Sequence, residues 1–334
     1  MYHRFHTRTH TLLILITAFI CSMTAANAAL ESMRYKGKEY ITLRSIKSQY
    51  GFAQMTLSGS KIELRKAKIK MEFTRGSSIC YMNGLKFGLS SSVVSSGSRL
   101  LVSQTDVDKM IDPILKPSFI PNAKSFKTII IDPGHGGKDA GAVNKYGTEA
   151  GYNLKVGRTL QAWLMAKGFN VVMTRESDVY LTLKQRVAVA NRYPNAIFMS
   201  IHFNSSSRSA ARGIETFTLS PVGVAHYGRG LKSSDYKTRS GNHQDSANIA
   251  LATAIHGRIK ERIAKYKVPD RGVKRARFSV LTSIKHPAIL IEGGFMSNPT
   301  EARLLENNQY LSTVTTGILE GVMRYRTALN SRGR

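Results

Sequence analysis

The sequence predicts an α/β fold, a mostly parallel twisted sheet flanked by helices, preceded by a small, mainly β domain. Two observations carry this. From Lys127 onward, short β-branched runs alternate with longer amphipathic stretches, the pattern of parallel strands joined by crossover helices. Before Lys116 the chain is instead cut into short alternating segments by glycine and serine turns, the pattern of hairpins. The length of 334 residues accommodates both parts.

Taken in order, the chain opens on a targeting segment. Arg4 and Arg8 precede the apolar run Leu12 to Ile20, and Ala26-Asn27-Ala28 follows it. This is a basic n-region, an apolar h-region and an A-x-A cleavage pattern. The run is too short to span a bilayer, which takes ~20 apolar residues. Residues 1–28 therefore read as a signal peptide cut after Ala28, and the protein as exported to the periplasm, cell envelope or beyond. Bulky Phe19 and Ile20 argue against lipidation at Cys21. Cleavage takes away two arginines, leaving a net charge of +26 and one cysteine, Cys80, hence no intrachain disulfide. Cys80, between Ile79 and Tyr81, reads as a buried core thiol. So basic a chain favours a polyanionic partner, which outside the cytoplasm means cell-wall polymer, anionic lipid or lipopolysaccharide. No nucleic-acid-binding motif is present, so nucleic acid is not expected as a partner.

Residues 29–117 form the small β-rich accessory domain. Its strand candidates are Glu39–Leu43, Ser60–Arg65 and Ile69–Phe73. Asn83-Gly84 between two apolar runs signals a hairpin, and Thr105–Ile111 a short helix. No cluster of His, Cys or carboxylates appears in it, and its 15 basic and 7 acidic residues suggest wall binding. Residues 118–126, bounded by Pro117 and including Pro121-Asn122, read as a linker. In the larger domain, residues 127–334, strands are expected at Thr128–Asp132, Asn170–Thr174, Ala196–His202, Gly213–Leu219, Phe278–Leu281 and Ala288–Glu292. Helices are expected at Ala150–Lys167, Leu181–Arg192, Ser246–Lys265 and Thr300–Ala328. The first has Leu154, Leu160, Trp163 and Leu164 on an apolar face, read as core packing. Residues Pro221 to Asp245 are polar and aperiodic, a long surface loop of the kind that is functional or disordered.

Four polar residues sit at junctions of these elements. His135 follows the first strand, between glycines. Glu149 stands just before the first helix. His202 ends the strand Ala196–His202, and Glu292 ends Ala288–Glu292. Sites in open α/β sheets lie at the carboxyl ends of strands, so the four can converge. Two imidazoles and a carboxylate with an open fourth position suit a catalytic zinc, and a second carboxylate beside them suits a general acid/base. Taken singly, a histidine can be merely hydrogen-bonded, a helix-start glutamate can complement the helix dipole, and a strand glutamate can form an ion pair. Glu292 weighs most, because a charge after Ala-Ile-Leu-Ile is costly unless paired or functional.

At this point the motifs are familiar. Ile130-Ile-Asp-Pro-Gly-His135-Gly-Gly-Lys-Asp-Ala-Gly-Ala142 resembles the first motif of the zinc-dependent N-acetylmuramoyl-L-alanine amidases. Ser200-Ile-His202-Phe-Asn204 is similar to their second histidine motif, and Arg212-Gly-Ile-Glu215-Thr-Phe to the strand after it. Asp270-Arg271-Gly-Val and Pro287-Ala-Ile-Leu-Ile-Glu292-Gly-Gly-Phe-Met-Ser-Asn298 resemble the closing motifs, with Thr174-Arg175 and Leu183-Lys-Gln-Arg186 in order between them. The resemblance covers roughly 128–325. It implies one zinc ion on His135, Glu149 and His202, Glu292 as catalytic acid/base, and substrate contacts from Asn204 and Arg271. The implied reaction is hydrolysis of the amide between N-acetylmuramic acid and the L-alanine of the stem peptide, which makes peptidoglycan the partner. The chain departs from the pattern at Phe203, often a small residue, and Gly293, often apolar. Residues 35–115 resemble the β domain called copper amine oxidase N-terminal-like; no copper ligands are present in it. Two other readings stay open: a zinc peptidase cutting within the stem peptide, and a non-catalytic wall-binding protein. Some relatives insert an autoinhibitory helix after the Glu215 strand. Here Ser220 to Asp245 has no Glu and no apolar stripe. An open site, with no activator protein required, is therefore expected, and the loop shapes the groove through His226, Tyr227, Arg229 and Tyr236.

Overall fold

The computed structural model describes residues 30–120 and 125–331. The expected signal peptide and the middle of the expected linker lie outside these residues. Nine short strands come first: β1 Ser32–Tyr35, β2 Lys38–Thr42, β3 Gln54–Ser58, β4 Lys61–Lys66, β5 Ile69–Thr74, β6 Ile79–Met82, β7 Leu85–Gly88, β8 Val94–Ser96 and β9 Arg99–Ser103. The turn Asn83-Gly84 does close the hairpin β6–β7, with Met82 opposite Leu85. Cys80 is a free, fully buried thiol, and burial raises its pKa. The remaining strands are β10 Thr128–Pro133, β11 Val143–Asn144, β12 Gly147–Thr148, β13 Asn170–Met173, β14 Ala196–Asn204, β15 Ile214–Leu219, β16 Asp270–Ala276 and β17 Ala288–Phe295.

Eleven of these strands form one sheet, in the order β13-β10-β14-β17-β15-β16-β7-β6-β5-β4-β3. Strands β13, β10, β14 and β17 run parallel, whereas β15 pairs antiparallel with β17 and parallel with β16. The period of two in a strand sorts its side chains between the faces. Ile129 and Ile131 of β10 join the core under the helices Glu149–Met165, Asp245–Ile263 and Asn308–Asn330. Ile130 joins a second core on the other face, with Phe198, Phe217 and Leu290. Helix starts follow capping rules. The Thr148 hydroxyl accepts from the Gly151 amide at 3.1 Å, and Thr182 and Gln185 form a reciprocal capping box ahead of Leu183–Asn191.

The N-terminal hairpins extend this sheet. Strand β7 lies parallel to β16, with Phe87 opposite Val273, and one apolar core runs from Ile41 through to Leu329. A buried ion pair crosses the same joint. Arg275 Nη1 lies 2.7 Å from Asp106 Oδ1, and Asp106 also accepts from the Ser90 amide at 2.9 Å and the Ser90 hydroxyl at 2.7 Å. Removing one member of a buried pair strands the other charge, at a cost of about 3–5 kcal/mol. Asp106→Ala should therefore lower the stability of the whole chain by that amount. Urea unfolding checks this, and a loss below about 1 kcal/mol would contradict it.

The fold class is the expected one, with local corrections. Phe278–Leu281 is not a strand: the strand is Asp270–Ala276, and Ser279–Thr282 is a single helical turn. The last expected helix is two, Pro299–Glu306 and Asn308–Asn330. Asn307 between them is extended and caps the second through the Gln309 amide at 2.8 Å. Trp163 is only half-buried and lies outside the core cluster that takes Leu160 and Leu164. The long loop contains short helical turns at Ser233–Tyr236 and Ser240–Gln244.

Candidate metal centre

The strand ends supply the donors. Pro133 and Gly134 close β10 and pass the chain to His135, whose backbone is left-handed at φ +58°. Histidine tolerates this region better than most residues, though at some cost. Gly134 must be glycine, since a Cβ there would fall 2.1 Å from the His202 ring. Gly136, at φ +128°, leaves no room either, because a Cβ would meet the Val179 carbonyl at 2.3 Å. His202 is the seventh residue of β14, which runs on to Asn204, and Glu149 is the first residue of its helix. Glu292 lies in β17, directly opposite His202.

His135, Glu149 and His202 each bring one donor atom into a cluster within 4.8 Å. Glu149 Oε1 lies 2.8 Å from His202 Nδ1 and 3.2 Å from His135 Nε2. The other nitrogen of His135, Nδ1, is 2.9 Å from Asp139 Oδ2. A metal bound here would take the Nε2 lone pair while Asp139 kept the proton on Nδ1, the usual arrangement behind a ligating imidazole. Burial by itself would raise the Glu149 carboxyl, but hydrogen bonds from His135 and His202 outweigh it and hold it well below the usual range. The hydrogen bond to Glu149 in turn raises the His135 imidazole.

Glu292 is different. Burial, then the carboxylates of Glu149 and Glu215, push it well above the ordinary value, with Lys274 opposing. Its Oε2 is buried and finds no hydrogen-bond partner among the described residues. An ionisable group so placed beside a donor cluster is fitted to carry a proton.

Glu215 was not singled out from the sequence. It lies directly opposite Glu292 on β15, 3% exposed. Its carboxylate accepts from Lys274 Nζ at 2.5 Å, from Asn204 Nδ2 at 3.1 Å and from Arg271 Nε. Asn204 and Arg271 thus meet at this carboxylate, and Arg271 also covers the Phe295 ring at 5.0 Å. The departures Phe203 and Gly293 compensate each other, because the Phe203 ring occupies the space a Gly293 Cβ would need.

Two buried arginines hold the His135 turn. Arg186 donates to Asp132 at 2.7 Å, to the Pro133 carbonyl at 2.8 Å and to the His135 carbonyl at 2.7 Å. Arg175 donates to the Pro133, Gly134 and Ala150 carbonyls at 2.8–2.9 Å. The left-handed turn at His135 is thereby fixed from behind. Losing such outer support costs typically ~10–100-fold in metal affinity or activity. Arg186→Gln should weaken metal binding by that factor in competition with a chromogenic chelator. Unchanged affinity would remove Arg186 from the account.

The loop after β15 supplies no donor to the cluster. Asp235 is fully buried on Arg229, with two contacts of 2.7 Å, and on Arg277 at 2.9 Å. His226 accepts from the Arg277 amide at 2.8 Å. The Tyr227 ring centroid lies 3.9 Å from Lys274 Nζ, which holds Glu215, while Tyr236 is exposed.

Comparison with known proteins gives the family. The family model described as N-acetylmuramoyl-L-alanine amidase matches residues 129–324. The chain belongs to this amidase family. The amidase AmiA of Escherichia coli (strain K12) is 29% identical over 268 residues, 72% of this chain and 90% of that one. YqiI of Bacillus subtilis (strain 168), itself uncharacterised, is 33% identical over 199 residues, 60% and 84% of the two chains. The solved catalytic domain of CwlV, an N-acetylmuramoyl-L-alanine amidase from Bacillus (Paenibacillus) polymyxa var. colistinus, superposes with a TM-score of 0.50 at 30% identity. It covers 61% of this amidase and 99% of that domain.

Proposed function

We propose that this amidase hydrolyses the bond between the lactyl carbonyl of N-acetylmuramic acid and the L-alanine nitrogen of the stem peptide, with His135, Glu149 and His202 holding one zinc ion and Glu292 as catalytic acid/base. The observation that carries this reading is the cluster of two imidazoles and one carboxylate with a buried carboxyl beside it whose Oε2 has no partner among the described residues. That donor set is the one catalytic zinc uses with a position left open. Zinc bound there supplies a Lewis acid. Asp139 keeps the His135 lone pair turned to the ion, and Arg186 and Arg175 keep the His135 backbone in place. Glu292 takes a proton from the attacking water and delivers it to the departing alanine nitrogen. Glu215 sets the level of that proton through its charge and fixes Asn204 and Arg271. The partly exposed Arg271 guanidinium faces substrate with its remaining N–H groups.

The setting is outside the cytoplasm, after cleavage near Ala28, on peptidoglycan. Among the described residues no helix is long and apolar enough to cross a membrane. The basic hairpins of residues 29–117 extend the catalytic sheet and are suited to hold anionic wall polymer. Because Asp235 is committed to Arg229 and Arg277, no carboxylate from the loop competes for the zinc, and hydrolysis should need no activator. Mass spectrometry of sacculi digested by the purified protein alone tests this. Intact stem peptides beginning at L-alanine are expected. Shorter peptides would indicate a peptidase, and an absence of products a binding protein.

A further inference from the structure

Strand β16 does not run evenly beside β15. Ile214 lies opposite Asp270 and Glu215 opposite Gly272, so Arg271 is an extra residue, a bulge. The contacts of Glu215 depend on it. Residues three apart in a regular strand point to opposite faces, yet Arg271 and Lys274 both donate to that carboxylate. Asp270, just before the bulge, turns the other way, toward the helix Asp245–Ile263. Its Oδ1 lies 2.9 Å from His256 Nε2, and His256 Nδ1 lies 2.9 Å from the hydroxyl of Thr216, the residue after Glu215. His256 is fully buried. One imidazole thus spans the two strands at the neighbours of Glu215 and Arg271. The accessory hairpin β6–β7 meets the same carboxylate. Asp270 Oδ2 accepts from the Lys86 amide at 3.4 Å and lies 3.2 Å from Lys260 Nζ, which also donates to the Gly84 carbonyl in the hairpin turn. Gly272 lets β7 come this close. Its backbone is left-handed at φ +94°, and a Cβ there would fall 2.7 Å from the Lys86 carbonyl oxygen.

We propose that Asp270 is a positioning residue for the hydrolytic site, setting the bulge that turns Arg271 onto Glu215, and that the accessory hairpin is part of the same device through Gly84 and Lys86. Asp270 is not one of the three cluster residues and acts through Arg271. Anchored on His256, Lys260 and the Lys86 amide, it fixes where the bulge falls. With Lys274 held on Glu215, a bulge one residue earlier would turn Arg271 to the helix face, away from that carboxylate. Bulges next to active sites commonly re-aim a side chain in this way. The hairpin therefore has a task besides holding wall polymer. It meets the bulge with main-chain groups, not with its basic side chains. The expected effect on rate rests on the hydrolytic reading above, in which Arg271 faces substrate; the aim of Arg271 does not.

Two measurements on the full mature chain test it. The first needs no substrate. In proton–nitrogen spectra the Arg271 Nε–H, assigned by its loss in Arg271→Lys, should exchange slowly because it is bonded to Glu215. Asp270→Ala should shift this signal and speed its exchange. The second is a double-mutant cycle on hydrolysis of a soluble muramoyl peptide. Asp270→Ala should lower kcat/KM at least ~10-fold, within the ~10²-fold that a misplaced group can cost, and mostly through KM. In an Arg271→Ala background the same change should cost less than ~2-fold. Zinc content should equal that of the parent throughout. Should Asp270→Ala not fold, Lys260→Met, at a partly exposed side chain, is expected to give the same signs at a smaller size. An unmoved Arg271 signal, or a loss of kcat/KM that is the same with and without Arg271, would overturn the proposal. A parent that leaves the muramoyl–alanine bond intact would sink the hydrolytic reading instead, and the Arg271 signal would still decide the positioning.

Discussion

Glu292→Gln is expected to fold, to bind one zinc ion and to lose hydrolysis by at least the ~10²–10⁴-fold that general acid/base catalysis contributes. The amide is nearly isosteric with the protonated carboxyl, so the strand packing between His202 and Glu215 is preserved. It cannot take up a proton from water. Because burial and two neighbouring carboxylates disfavour charge on this carboxyl, a neutral side chain suits the site. The variant should therefore unfold at an equal or higher temperature than the parent. Stability kept and turnover lost is the signature of a group that carries a proton. Loss of zinc with turnover would instead mark Glu292 as a ligand. A near-normal rate would remove it from the chemistry.

His202→Ala should lose zinc and activity together. Its Nδ1 is 2.8 Å from the Glu149 carboxylate, and among the described residues the cluster has no other imidazole but that of His135. Two donors remain where catalytic zinc takes three protein ligands. Zinc content and peptide release, measured on the same preparation, should fall in parallel. Full zinc content with lost activity would move the metal elsewhere.

Part of the centre was legible because two of its residues break a local rule. His135 stands among glycines after an apolar strand, and Glu292 is a charge inside one. Glu215 breaks the same rule, in Ile214-Glu-Thr-Phe, yet its place was hidden. Expecting sites at carboxyl ends leaves β15 out, and only its reversal against β17 brings its amino end to the centre. Arg175 and Arg186 were hidden for another reason. Arginines read as surface groups until the carbonyls that surround them are known, and those come from a turn more than forty residues earlier. The joint between β7 and β16 depends on pairing between distant segments, which periodicity does not encode. Phe278–Leu281 misled because so short a segment, three apolar residues and a serine, fits a strand or a buried helical turn equally well.

The central claim is that His135, Glu149 and His202 make this amidase a one-zinc enzyme. Titrating zinc into chelator-stripped protein while following release of murein peptides tests it most directly. The account predicts no release from the stripped protein and a linear rise that ends at one equivalent, with His202→Ala flat throughout. Full release by the stripped protein, or restoration by zinc in His202→Ala, would contradict it.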